Sequence, residues 1–380
     1  MRSPKADNYI ALADALRERS RYGESVRIFK KALLMAERDG DGERRYYCMR
    51  SLGDVYRMTG RFEDAVNRYS EAISLASGIR SPEKVADAQV GLGLTLRAQG
   101  MWQRALTLIR ASKILYMKNR DMQGKAFAVW AEAGTLRIKG DILGALKLFR
   151  ESLNLFRALK DKQGVGYCLC GLGGASRVAG RPRASLKYYL AANSLFAEIR
   201  DTFGRAYSYC GIANAHRMVE NYDTAFSAFS KATRLYRMIG DKVSYAYTLW
   251  GLGTALKMNG RHQKARDCMV KAMNYFRETR DPRGMIYCQL GLGEIAFLSG
   301  DPEGAGRYLS AARKALAQFK FGVENCYALT LSGIIDRDKS NMPGNTSLTR
   351  GRHTTKDVFA DCYRRLGMKP HARSLPLNLP

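Results

Sequence analysis

The sequence holds no uninterrupted apolar run approaching the ~18 residues of a membrane-spanning helix. Near its start the one apolar run, Tyr9 to Leu16, is broken by Asp14. Both absences predict a soluble, cytoplasmic chain without an export signal. Histidine is scarce, with four in 380 residues; His216 falls at a leucine-type core position and His262 at the start of a helix. There is no Gly-rich loop ending in Lys-Ser/Thr and no H-E-x-x-H, so no enzyme, cofactor or metal centre is predicted. No C-x-x-C pair appears. Cys48, Cys168 and Cys288 share one repeating position with Ala88, Ala128, Ser208 and Thr248, and Cys170 and Cys210 share another with Val90, Trp130 and Trp250. They read as small or apolar core fillers. Acid is the remaining shortage: 35 Asp and Glu against 63 Lys and Arg leave a net charge of +28. That excess is far more than solubility needs and points to an anionic partner, whether nucleic acid, an acidic protein segment or a membrane surface.

What is present is a forty-residue period. Asp121, Asp161, Asp201, Asp241 and Asp281 recur without insertion or deletion, as do Gly60, Gly100, Gly140, Gly180, Gly260 and Gly300, with Glu220 the exception. Each period reads as two helix-length segments, A and B, split by the glycine. The Asp is placed to cap helix A by accepting from its free N–H groups. A small residue (Gly53, Gly93, Ala133, Gly173, Ala213, Gly253, Gly293) permits close helix approach, and the closing glycine ends helix A in a left-handed conformation. Helix B brings Ala105, Ala145, Ala225, Ala265 or Ala305 to that turn, followed four positions later by Ile109, Phe149, Phe229, Met269 or Leu309. No pair can bury its apolar stripe alone, so stacking is obligatory.

The L-G-x-x-[YL] pattern of the first helix and A-x-x-x-[FY]-x-x-A of the second resemble the tetratricopeptide repeat family over roughly residues 6 to 336. The forty-residue spacing is most similar to the subgroup of Pins-type adaptors and kinesin light chains. The resemblance implies an all-α fold, a right-handed superhelix of antiparallel helix pairs whose first helices line a concave groove that captures peptides. The predicted organisation is a solenoid over 1–337 with eight full repeats and a capping helix, a loop or linker over 338–355, and a short helix with an extended tail over 356–380.

One column carries charge in almost every repeat: Arg17, Arg57, Arg97, Arg137, Arg177, Arg217, Lys257 and Arg337, broken by Phe297. It lies in the last turn of helix A, where the helix dipole favours any cation by ~0.3–1 kcal/mol. The dipole does not account for one fixed position, nor for Arg over Lys. A second column runs Tyr47, Phe127, Tyr167, Tyr207, Tyr247, Tyr287 and Tyr327, with Trp130 and Trp250 one turn further along their helices. By the geometry that the resemblance implies, both columns border the groove. For the cations, ligand binding and the dipole effect remain open; for the rings, inter-repeat packing and groove walls do. Asn214 alone matches the asparagine that Pins-type grooves carry after the glycine. Glu132 stands where its equivalents are Leu or Ile, and is either a shifted local register, the preferred reading, or a buried acid with a basic neighbour.

The functional expectation is a non-enzymatic scaffold that holds an acidic protein segment. Its contacts would come from Arg57, Arg97, Arg137, Arg177, Arg217 and Lys257, with Tyr167, Tyr207, Tyr247, Trp130 and Trp250 as walls. The alternative is single-stranded RNA or other nucleic acid held by the same cations with stacked bases.

Overall fold

The structure, a computed structural model, describes residues 4–340, 361–368 and 375–378. Seventeen long helices follow one another from Pro4–Glu18 to Gly322–Ser340, without a strand among the described residues. Odd-numbered helices are the A helices and even-numbered ones the B helices, so repeat four is Met122–Lys139 followed by Ile142–Ala158. Each helix packs chiefly on its predecessor and successor, and A helices also touch the A helix of the next repeat. The last helix runs through Ser340, three residues into the expected linker. The rest of that linker, residues 341–355, lies outside the described residues. Of the expected terminal helix, residues 361–365 are helical.

The expected caps form. The side chains of Asp41, Asp121, Asp161, Asp201, Asp241 and Asp281 each accept from the N–H three residues on. The left-handed positions are more regular than the glycines suggest: from Ser20 to Lys320, every twentieth residue has φ between 52° and 103°. Glycine takes this position after most A helices, whereas Arg80, Arg120, Lys160, Arg200, Arg280 and Lys320 take it after B helices. A non-glycine residue in that conformation costs on the order of 1 kcal/mol, so the register is imposed by packing rather than by local preference.

That packing is a wedge. Tyr69, Ile109, Phe149, Tyr189, Phe229 and Met269 occupy one position of successive B helices, each at most 4% exposed. A Cβ added at Gly173 would sit 2.8 Å from the Tyr189 ring, and one at Gly211 in the next repeat 2.1 Å from it. Tyr69 lies in the same way between Gly53 and Gly91, and Met269 between Gly253 and Gly291. One large side chain thus locks two A helices at once.

The superhelix is tight enough for successive turns to touch. Trp102 Nε1 donates to the Phe319 carbonyl at 3.0 Å and Arg280 pairs with Glu63, both at a separation of 217 residues, so one turn takes about five and a half repeats. Gly60 faces Val243 and Thr279, and Gly100 faces Pro282 and Phe319. Among the described residues no helix is long and apolar enough to cross a membrane.

Glu132 corrects the preferred reading. It keeps register, is 4% exposed and is held by Arg110 at 2.7 Å and Lys113 at 2.6 Å from the preceding B helix. Burial alone would raise its carboxyl; Lys113 and Arg110 outweigh burial and hold it below its ordinary range. The core-filler cysteines are free and buried or half-buried, and burial pushes the Cys48 and Cys168 thiols up to about 12. Cys326, outside those columns, is joined to Cys362 by a disulfide that fastens the 361–368 segment to the last helix.

Two substitutions test the register. Gly211→Ala should cost ~1–3 kcal/mol through overlap with Tyr189, whereas exposed Glu220→Gly, at φ 61°, should gain about 1 kcal/mol. Urea unfolding midpoints of the two variants, moving in opposite directions, check both.

Candidate functional site

The cation column does form one line, because each member sits at the same point of its A helix, in the last turn before the left-handed residue. Its side chains reach forward into the next repeat. A Cβ at Gly134 would meet Arg97 Nη1 at 2.5 Å, and one at Gly174 would meet Arg137 Nη1 at 3.1 Å. Arg17, Arg97, Arg137 and Lys257 therefore lie over the residue that follows the small residue of the next A helix. That receiving position reads Asp54, Leu94, Gly134, Gly174, Asn214, Thr254 and Glu294.

The two ends of the line are therefore neutralised. Arg17 meets Asp54 at 3.7 Å as well as Asp14 at 2.7 Å, and Arg57 lies 3.9 Å from Asp54. Lys257 and Glu294, 1% and 0% exposed, pair at 2.6 Å. Glu294 also accepts from the Tyr327 hydroxyl at 2.6 Å. Burial lowers Lys257 below its ordinary value, and Glu294 offsets part of that. Arg217 is fully buried and donates to Asn214 Oδ1 at 3.3 Å.

The middle is different. Arg97, Arg137 and Arg177 are half-buried and have no carboxylate partner among the described residues. Arg137 Nε and Arg177 Nε and Nη1 are buried without a hydrogen bond. Burial first, then Arg137 and Arg57, push Arg97 down to about 9. Its guanidinium lies 6.0 Å from the centroid of the Trp130 ring. Like charges held together under partial burial are costly, and an anion placed among them would relieve that cost. Charges from distant repeats also reach the column: Arg97 feels Arg283 and Tyr207, and Asp241 feels Arg57, two of these pairs lying beside the contacts between successive turns.

The aromatic column does two jobs. Tyr167 OH lies 3.1 Å from Asp201 and Tyr247 OH 3.3 Å from Asp281, so each hydroxyl binds the capping Asp of the next repeat. Their rings pack on Phe196 and Phe276 with centroids 5.0 and 4.7 Å apart. Trp250 is buried against Tyr287. These three brace consecutive repeats. Tyr207 stacks on Phe203, with no hydrogen bond to its hydroxyl among the described residues, and half-buried Trp130 donates to the Tyr167 carbonyl at 3.3 Å. The side chain of Arg337 lies outside the described residues.

Two parts of the site were not anticipated. Glu294 was visible as an acid in the receiving column, but only if columns are compared between repeats. The other is the segment 375–378, which lies against Arg217, Lys257 and Glu294.

Sequence comparison agrees with the geometry. Tetratricopeptide repeat models match residues 5–78 and 202–278, and a second such model matches residues 50–119, together just over half of the chain. The chain belongs to the tetratricopeptide repeat family, and its fold is the right-handed α-solenoid of that family. No curated protein sequence matches it significantly. Among solved structures it is similar to a Rap protein complexed with competence and sporulation factor, at 11% identity over 95% of this chain and 98% of that one, TM-score 0.66. It is similar to the Rap conjugation gene regulator of plasmid pLS20 in complex with the Phr* peptide, at 14% identity over 84% and 97%, TM-score 0.65. A third is aspartyl phosphate phosphatase F from Bacillus subtilis, at 11% identity over 83% and 94%, TM-score 0.55.

The buried pair gives a direct test. Glu294→Leu removes the carboxylate that Lys257 pairs with, leaving it the neutral Leu377 carbonyl, and should cost ~3–5 kcal/mol, while adding Lys257→Met should recover a large part of the loss. Urea unfolding of the two variants measures this.

Proposed function

We propose that the chain is a non-enzymatic scaffold that captures an acidic protein segment in its concave groove. The observation that carries this reading is the run of three cations, Arg97, Arg137 and Arg177, that no carboxylate neutralises among the described residues, between ends that are neutralised. Guanidinium forks with free donors suit bidentate capture of carboxylates. A-helix rungs sit ~8–10 Å apart and an extended chain advances ~3.3 Å per residue, so an acid at every third position would meet each rung. Of two structures with this fold, the pLS20 regulator is in complex with the Phr* peptide and the Rap protein is complexed with competence and sporulation factor, and the former supports a peptide partner. Arg57 contributes at the edge; Arg217 and Lys257, expected in the same line, are buried and already engaged by Asn214 and Glu294 and are left out of it, and Trp130 and Tyr207 are the rings best placed to touch a ligand. Base stacking is less favoured, because Tyr167, Tyr247 and Trp250 are engaged in packing.

The test uses a fluorescein-labelled decaglutamate peptide and a labelled U20 oligonucleotide. Decaglutamate should bind the wild-type chain. Arg97→Glu, Arg137→Glu and Arg177→Glu together should weaken it at least a hundredfold, since each lost charged contact is worth ~1.5–3 kcal/mol, with the circular dichroism spectrum unchanged. Undiminished binding by the triple variant sinks the reading. Tighter binding of U20, with a steep salt dependence, would replace it with the nucleic-acid one.

A further inference from the structure

Beyond the free cations the A-helix face is already occupied at Arg217, Lys257 and Glu294, and the occupant is part of this chain. Leu377 is 1% exposed and belongs to the main apolar core. Its N–H donates to Glu294 Oε1, and its carbonyl accepts from Lys257 Nζ at 3.0 Å. Asn378 makes a paired contact with one residue: its Oδ1 accepts from Arg217 Nη1 at 2.5 Å, and its Nδ2 donates to the Arg217 carbonyl at 3.3 Å. Arg217, Lys257 and Glu294 come from the A helices of repeats six, seven and eight, Thr202–Met218, Lys242–Met258 and Pro282–Leu298. Two of the three belong to the cation column, and all are nine-tenths or more buried.

These contacts have the character of ligand binding rather than of chain packing. Both backbone polar groups of one residue, Leu377, are read by side chains, its own side chain is sunk into apolar surroundings, and one asparagine is gripped through its amide. An extended peptide is recognised by such a site through its main chain, with specificity from the leucine and asparagine side chains. Passing from Leu377 to Asn378, the segment steps from repeat seven to repeat six, toward Arg177, Arg137 and Arg97.

We propose that segment 375–378 is an intramolecular ligand of the groove. It occupies a Leu-Asn peptide subsite over repeats six to eight and excludes an intermolecular peptide of the same kind. The proposal rests on the preceding reading only in treating the concave face as a ligand site; the acidity of the partner is a separate matter. The disulfide of Cys326 with Cys362 anchors the chain close to where the segment begins. A short leash of this sort gives an effective concentration on the order of 1 mM, so a segment with intrinsic affinity near ~0.1 mM would reduce binding of a competitor about tenfold.

The probe is a fluorescein-labelled heptapeptide, SLPLNLP, copying residues 374–380. It is titrated into the full-length wild-type chain and into the full-length Leu377→Asp/Asn378→Ala variant, whose own segment should leave the subsite. The variant should bind the probe about tenfold more tightly than wild type, and a probe with Ala for the Asn should bind the variant about tenfold more weakly. Equal binding to both chains, or binding to neither, overturns the proposal. Asn378→Ala alone, compared by circular dichroism and thermal melting, guards against loss of fold in the double variant. Amide hydrogen exchange adds a reading on the unaltered chain: Leu377 should exchange slowly, and exchange at the rate of an unstructured peptide overturns docking. Decaglutamate is run on the same two proteins; its failure to bind would count against the acidic partner alone, leaving the heptapeptide result intact.

Discussion

The insertion of one large B-helix side chain between two small A-helix positions is the constraint on which the molecule depends. A glycine inside a helix costs ~0.5–1 kcal/mol relative to alanine, and several A helices carry two or more. Burying a Tyr, Phe or Met wedge returns ~1.5–3 kcal/mol, so each wedge offsets the glycines it needs with little to spare. The geometric consequence is larger than the energetic one. Because Tyr69, Tyr189 and Met269 seat between equivalent glycines, every A helix meets the next at one fixed register. Residues forty apart then form continuous columns that follow the superhelix, and the left-handed residue at each multiple of twenty follows from the same locking.

Columns turn a one-residue preference into a field. An isolated arginine in the last turn of a helix gains its dipole energy and stays solvated. Stacked at the rung spacing inside a narrow groove, the same arginines repel one another and lose water. The chain resolves this at both ends by placing an acid in the receiving column, Asp54 under Arg17 and Glu294 under Lys257. In the middle that column holds Gly134 and Gly174, which leave room for the guanidinium groups but no countercharge. Arg97, Arg137 and Arg177 are left there without a countercharge among the described residues, and a ligand that supplied carboxylates would gain what the fold withholds.

Much of this was legible in the sequence because it repeats: the helix pairs, the Asp caps, the left-handed glycines, and the membership of the cation and tyrosine columns. What stayed hidden were relations between unlike columns. Arg97 over Gly134, Lys257 on Glu294, and Glu132 on Arg110 and Lys113 depend on the angle at which neighbouring helices cross, which spacing alone does not give. Asp54 lies one turn from Arg57 in the same helix, whereas Glu294 reaches Lys257 only from the next repeat. The contacts of Trp102 with Phe319 and Glu63 with Arg280 lie further out of reach, since they sum a small rotation over more than five repeats. Cys362 and segment 375–378 fall beyond the repeats, so no periodicity marks their partners.

Closure of the superhelix decides what kind of ligand the groove can take. With Gly60 against Val243 and Thr279, and Gly100 against Pro282 and Phe319, successive turns brace each other and hold the inner face to a set width. A helix with its side chains is ~10–12 Å across and pairs its own peptide groups, whereas an extended chain is slimmer and exposes its peptide groups along its whole length. An extended chain therefore offers main-chain groups that the rungs can pair with. Segment 375–378 illustrates the principle within this molecule: Lys257 and Glu294 take the main chain of Leu377, while Arg217 takes the amide of Asn378. On the proposed reading, a groove that takes main chain at one end and holds unpaired guanidinium groups in the middle would select its partner by conformation first and by charge second.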